Sequence, residues 1–302
     1  MGKVAFVFSG QGAQYSGMGK SLYEHSAAAK NVFDTAESIR PGTKNQCFSG
    51  TLEEISITKN TQPCLFCVDL AAAEALREAG ITPDRTAGFS LGEVAAVTFA
   101  GIFTTEEGFS LVTKRGEAMQ AAAEQADSAM AAVLKLPNEK VEELCRMHQS
   151  VFPVNYNCPG QLVIAGEKAA LAEAIENCKA AGARRALPLA VSGAFHTPLM
   201  AKAAAELRAY VADFTFSAPK MDIYSNLDGK VYDCSDLPAH LEQHMISPVR
   251  WTQLVKNGMA AGLTSACEIG PGKTLTGFAG KISKELTCKT VQDMAGVEAA
   301  CH

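Results

Sequence analysis

Ser90 stands between Gly88 and Gly92 in the stretch Gly88-Phe89-Ser90-Leu91-Gly92, after a short extended run and before the apolar run EVAAVTFA, which Gly101 stops. A strand that turns sharply into a helix crowds its own backbone, and flanking glycines remove the Cβ atoms that would collide. The residue at the apex is then held out with its hydroxyl free, the G-x-S-x-G nucleophile elbow. The first turn of the following helix adds unpaired N–H groups and the positive end of a helix dipole beside the serine. A chance turn of small residues reads the same way, so the motif needs a partner. Serine is a weak nucleophile without a base in reach. His196, 106 residues downstream in AVSGAFHTPLM, falls at a strand-to-helix junction and is the candidate base. The same place suits a histidine that only begins a helix, and spacing alone leaves both readings open.

Other patterns fail on a specific residue. SGQGAQYSG follows a strand, but a dinucleotide fingerprint needs glycine where Tyr15 stands. GPGKT lacks the first glycine of a phosphate loop, since Cys267 occupies it. His240 and His244 in HLEQHM are one helical turn apart, but Leu241 replaces the glutamate of a zinc-protease motif, and the pair reads as surface histidines. Cys64 and Cys67 have redox spacing without a second ligand pair, and read as core at the start of an apolar helix after Pro63. His25, His148 and His302 have no persuasive neighbours, so no metal site is expected.

These residues need a scaffold. The 302 residues, 47% hydrophobic and 20% charged with net charge −5, fit a globular protein of about two domains, or one with an insertion. No basic stripe suggests nucleic acid, and no leader or membrane span is legible, so a cytoplasmic location is expected. Ten cysteines in a chain of this size read as mostly buried free thiols. The first section alternates strand KVAFVF, a helix from about Ser21 to Ser38, helix CLFCVDLAAAEALREAG, strand RTAGF, the elbow helix and helix TEEGFSLVTKRGEAMQAAAEQA. Such alternation predicts an α/β fold with a mostly parallel sheet. AMAAVLKL, NEKVEELCRMH, VFPVNYN, QLVIAG, KAALAEAIENCKAAG and RRALPLAVS then run β-α-β-β-α-β, the ferredoxin-like split unit. The pattern afterwards returns to helices and strands of the first kind. The predicted division is a discontinuous large domain, 1–126 and 192–302, with a small subdomain inserted at 127–191.

Eight segments, in order over essentially the whole chain, resemble the malonyl-CoA:acyl carrier protein transacylases of bacterial fatty-acid synthesis: FVFSGQGAQYSGMG, TQPCLF, GFSLGE, KRGEAMQ, NYNCPGQLVIAG, RALPLAVSGAFHTPLM, SPVRWTQLV and EIGPGKTLTG. The resemblance implies a hydrolase-like core, Ser90 as acyl-bearing nucleophile, His196 as its base, and the N–H groups of Gln11 and Leu91 as oxyanion donors. It makes Arg115 the clamp for the free carboxylate of malonyl, and a guanidinium suits that task through two parallel hydrogen bonds. Leu111 and Met119, one turn away on either side, make the face around Arg115 apolar. The resemblance also puts Gln243 near His196, and sets Phe195 where a bulky ring would crowd an α-methyl branch. It implies malonyl-CoA as substrate, an acidic, phosphopantetheinylated acyl carrier protein as partner, no bound cofactor, and a monomer.

Phe89 departs from the family, which usually has histidine there; this bears on the pocket wall, on leakage of the acyl group to water and on fine substrate choice. Three rivals stand beside the transacylase reading. A trans-acting polyketide-synthase acyltransferase would use the same residues, an esterase or thioesterase would pass the acyl group to water, and a non-catalytic carrier-binding module would have no use for Ser90 and His196.

Overall fold

The computed structural model describes residues 2–301. Strand β1 (Lys3–Phe8) opens the chain and β2 (Arg85–Gly88) follows after a run of helices. The chain then builds β3 (Ser128–Leu134), β4 (Val151–Cys158), β5 (Gln161–Glu167) and β6 (Arg185–Pro188), and returns with β7 (Asp222–Tyr224), β8 (Leu263–Ile269) and β9 (Thr287–Val291). Two sheets result. One has the order β7-β2-β1-β8-β9 with every pair parallel. The other, β4-β5-β3-β6, is antiparallel and carries the β-α-β-β-α-β order of a ferredoxin-like unit. The α/β class and its smaller antiparallel unit agree with the sequence pattern.

Alternation along single strands explains how the layers stack. In β1, Phe6 and Phe8 point into one core while Ala5 and Val7 point into another, so the parallel sheet is covered on both faces. The small sheet does the same. Ala131, Val133, Leu162 and Ile164 face its own two helices, whereas Met130, Ala132, Val163 and Ala165 join the main core. One face of the small sheet therefore forms a wall against the large unit, and that wall borders the site described below.

Some boundaries differ from the sequence pattern. The helix expected from Ser21 to Ser38 is two helices, Lys20–His25 and Ala27–Ile39. Between them Ser26 is extended, and its hydroxyl accepts from Ala29 N, capping the second helix. The long helix runs Thr58–Glu78, so Pro63 lies inside it rather than before it. As the sixth residue of the helix, Pro63 has no N–H to donate to the carbonyl of Lys59, so the helix gives up that one bond. That earlier start matters because it places Gln62 on the helix. Strand β9 was not anticipated; TCKTV alternates too weakly, with only Val291 buried.

Candidate active site

The elbow is as tight as its glycines suggest. A Cβ on Gly88 would lie 1.9 Å from the carbonyl carbon of Gly92, and one on Gly92 would lie 2.3 Å from Phe8 O. The turn is thus pressed onto the end of β1, and Ser90 takes φ 52° and ψ −102°, the left-handed side that non-glycine residues avoid. Its Oγ lies 2.7 Å from His196 Nε2. His196 is buried and itself at φ 61°, so both members of the pair hold strained backbone. Its Nδ1 lies 3.0 Å from His244 O and 3.2 Å from Ser247 O. Carbonyls only accept, so Nδ1 carries the hydrogen and Nε2 presents its lone pair to the serine O–H. Burial, with His244 and Arg115 nearby, pushes the imidazole pKa down to about 3, which keeps the base neutral.

Arg115 rises into the same space, 1% exposed. Its Nη1 donates to Gln62 Oε1 at 2.7 Å and its Nη2 to Ser90 Oγ at 3.3 Å, while its buried Nε has no partner. Burial lowers its pKa to about 10, against a partial offset from Glu93, and leaves it a cation at neutral pH. Gln62 Nε2 turns to Met119 Sδ at 3.2 Å, so Met119 helps to fix the amide that orients the guanidinium. Arg115, Met119, Phe195, Gln11, Leu91 and the Ser90–His196 pair line one cavity of about 90 Å³. A larger one of about 210 Å³ adjoins it, sharing Gln11, Phe89, Asn155, Val163 and Leu189. Asn155 and Asn157, two apart on β4, each bury an Oδ1 without a partner, which gives that side of the cleft a taste for N–H donors.

Two residues that line the cavity with Ser90 have free main-chain amides. Ser90 N is taken by Asn226 Oδ1 at 2.8 Å, but among the described residues the N–H groups of Gln11 and Leu91 enter no hydrogen bond of the chain. The Gln11 side chain is held by Thr58 Oγ1 at 3.2 Å, which in turn contacts Ser192 Oγ at 2.8 Å. Phe89 packs against Trp251 and Phe278, with ring centroids 5.6 and 6.2 Å apart, and lines both cavities, so this side of the cleft is an aromatic wall.

One assignment is corrected. Gln243 is exposed, and the carbonyl that meets His196 belongs to its neighbour His244. Helix Leu237–Ile246 buries Leu237, Leu241, His244 and Met245, a stripe at helical spacing that leaves position 243 on the solvent side. Nor are His240 and His244 surface residues: His244 is 1% exposed and His240 Nε2 lies 3.2 Å from the buried Glu93 Oε1. That stripe was legible, since 237, 241 and 244 already spell one face. Gln62, Glu93 and Asn226 were missed because an amide or carboxylate inside an apolar helix or loop carries no distinctive spacing. His25 is exposed and His148 pairs with Asn177, while His302 lies outside the described residues. Cys64 and Cys67 are fully buried in the main core.

Comparison with known proteins adds to this geometry. A family model described as the acyl transferase domain matches residues 5–298. The malonyl CoA-acyl carrier protein transacylase of Bacillus subtilis is 39% identical over 306 aligned residues, covering 99% of this chain and 96% of its own. The protein of the same name from Salmonella typhimurium is 36% identical and covers 99% of both chains. Among solved structures, an acyl carrier protein S-malonyltransferase from Vibrio cholerae superposes with a TM-score of 0.94 at 38% identity, covering 99% of each chain. A malonyl-transacylase in complex with its type II PKS acyl-carrier protein superposes with a TM-score of 0.95 at 36% identity, again over 99% of each.

Proposed function

The chain belongs to the acyl transferase domain family, and we propose that it transfers malonyl from malonyl-CoA to the phosphopantetheine thiol of acyl carrier protein, supplying fatty-acid synthesis. Ser90 gives its proton to His196 Nε2 as its oxygen bonds to the thioester carbonyl carbon. The carbonyl electron pair moves onto oxygen, where the Gln11 and Leu91 amides meet it; each such donor is worth about 3 kcal/mol of barrier. The C–S bond breaks, and coenzyme A leaves as a thiol with the proton from His196. The malonyl ester stays on Ser90 with its free carboxylate on Arg115. The carrier thiol next gives its proton to His196 and attacks the ester, and Ser90 leaves with that proton.

One juxtaposition carries this reading. A fully buried cation lies 3.3 Å from Ser90 Oγ with its Nε unpartnered, so an acyl group on Ser90 that ends in a carboxylate meets a cation with a donor to spare. Simple ester hydrolysis would leave Arg115 without a purpose. Met119 and Phe195 would close the pocket around the short acyl chain, Phe195 against an α-methyl branch. The proposed division sets 127–191 as a subdomain inserted into 1–126 and 192–302, with the reaction in the cleft between them. The chemistry calls for no metal or redox cofactor, and the reading places the enzyme in the cytoplasm as a monomer. The likeness to a transacylase that serves a type II PKS carrier supports a second reading in which the carrier belongs to polyketide synthesis.

Intact mass after brief mixing with malonyl-CoA tests the proposal. A malonyl-sized increment that vanishes on adding carrier protein, and is absent in Ser90→Ala, is the expected result. An ester that drains to water whether or not carrier is present would give the hydrolase reading instead.

A further inference from the structure

Among the described residues, the Ser90–His196 pair has no carboxylate bonded to its imidazole, the place that aspartate fills in a Ser-His-Asp triad. One buried carboxylate nevertheless touches both segments that hold the pair. Glu93, in the first turn of the elbow helix Leu91–Phe99, is 1% exposed. Its Oε2 accepts from Asn226 N at 2.6 Å. The Asn226 side chain then spans the elbow, with Nδ2 donating to Gly88 O at 2.6 Å and Oδ1 accepting from Ser90 N at 2.8 Å. Those contacts grip the backbone on either side of Phe89, immediately before the strained serine. On its other oxygen, Glu93 Oε1 accepts from Tyr232 Oη at 2.9 Å and lies 3.2 Å from His240 Nε2 and 3.7 Å from His244 Nδ1. His244 is the residue whose main-chain carbonyl receives the Nδ1–H of His196, and the two rings sit 5.6 Å apart.

We infer that Glu93 is the positioning carboxylate of the catalytic pair, acting on Ser90 through Asn226 and on His196 through His244. Burial alone would raise its pKa, but His244, His240 and the Asn226 N–H outweigh burial and hold the group ionised. Its charge lies against the ring of His244, whose main chain meets the imidazole that must become imidazolium in each half-reaction, and it also reaches the buried cation Arg115. The inference takes from the proposed function only the identity of the acyl group.

Glu93→Gln keeps size and most hydrogen bonds while removing the charge. Two readouts are needed: single-turnover acylation by malonyl-CoA, and labelling of Ser90 by a fluorophosphonate, which reports nucleophile activation whatever acyl group the enzyme carries. With folding verified by circular dichroism, we expect kcat for acylation to fall about tenfold or more, KM for malonyl-CoA to stay within about threefold, and labelling to slow in parallel with kcat. His244→Gln leaves the main-chain carbonyl but removes the ring against Glu93, and should lower both rates in the same way; it decides the matter if Glu93→Gln does not fold. Unchanged kcat and labelling in a folded Glu93→Gln, or failing that in His244→Gln, with only a lower Tm, would make Glu93 a purely structural ion and overturn the inference. If the unaltered protein labels with fluorophosphonate yet moves no malonyl group, the functional reading fails while the positioning inference remains open to the same labelling test.

Discussion

Among the described residues no carboxylate lies at bonding distance from the buried cation Arg115, which is held by Gln62 and leans on Ser90. Such a group is costly unless something neutralises it in the working state, and a malonyl carboxylate supplies that charge. Replacing Arg115 by alanine should lower kcat/KM for malonyl transfer by about 100-fold, the order of losing two charge-assisted hydrogen bonds. Transfer of acetyl, which has no carboxylate to bind, should fall much less, so the malonyl-to-acetyl ratio of kcat/KM collapses. Equal losses for both acyl groups would mean that Arg115 merely holds the fold. At this scale the sequence was informative where chemistry demands an unusual setting. Ser90 is announced by two glycines, and Arg115 by charge on an apolar helix face. His196 was legible only as one of two readings. Gln62, Asn226 and Glu93 act through common hydrogen bonds that many residues could make, so nothing in their spacing marks them.

The elbow shows how an element, rather than a side chain, sets the chemistry. Gly92 approaches the main chain of β1, and backbone cannot swing aside as a side chain can. Gly92→Ala should therefore cost about 3 kcal/mol or more, lowering Tm by roughly 5–10 °C, because strand, turn and helix must all shift. Gly277, inside helix Thr274–Ile282 with nothing within 4 Å of an added Cβ, is the contrasting case. Gly277→Ala should stabilise by up to about 1 kcal/mol through helix propensity alone. Thermal melts of the two variants check both signs together. Elements with strong alternation or long apolar stripes were legible from the chain, as in β1, β3 and β5. The late strand β9 and the break at Ser26 were not. The first buries little, and the second depends on one capping hydroxyl inside an otherwise continuous helical pattern.

Across the whole molecule, buried titratable groups couple stability to pH. His196 and His244 are held by burial at about 3 and 4, below the ordinary imidazole value. Between pH 6.5 and about 4 unfolding therefore takes up protons, and each histidine removes up to about 1.4 kcal/mol per pH unit as pH falls. Asp69 opposes this: burial raises its pKa well above the carboxylate range, so folding keeps a proton there that unfolding releases. Glu74, whose pKa burial also raises, acts with Asp69, so the variant isolates the sign: Tm should fall more steeply from pH 6.5 to 4.5 in Asp69→Asn than in the unaltered protein, and an equal or shallower fall would refute it. Charge also organises the exterior. Lys135, Arg184, Arg185 and Lys281 border one cavity of about 280 Å³ on a chain whose net charge is −5. From Arg185, strand β6 and its continuation present Leu187 and Leu189, 46% and 36% exposed, and Leu189 reaches the cavity that holds Ser90. A basic end followed by an apolar track into the cleft suits a carrier of opposite surface charge that must thread a long arm toward the serine. Reversing Arg184 and Arg185 to glutamate together should raise KM for carrier protein about tenfold at low salt, with the gap narrowing at high salt as screening removes the attraction. Acylation by malonyl-CoA alone should stay within about twofold, because neither arginine lines the cavity around Ser90. If carrier KM is unmoved, docking uses another face, and the basic cluster serves only to hold the hairpin that ends in Pro159 and Gly160.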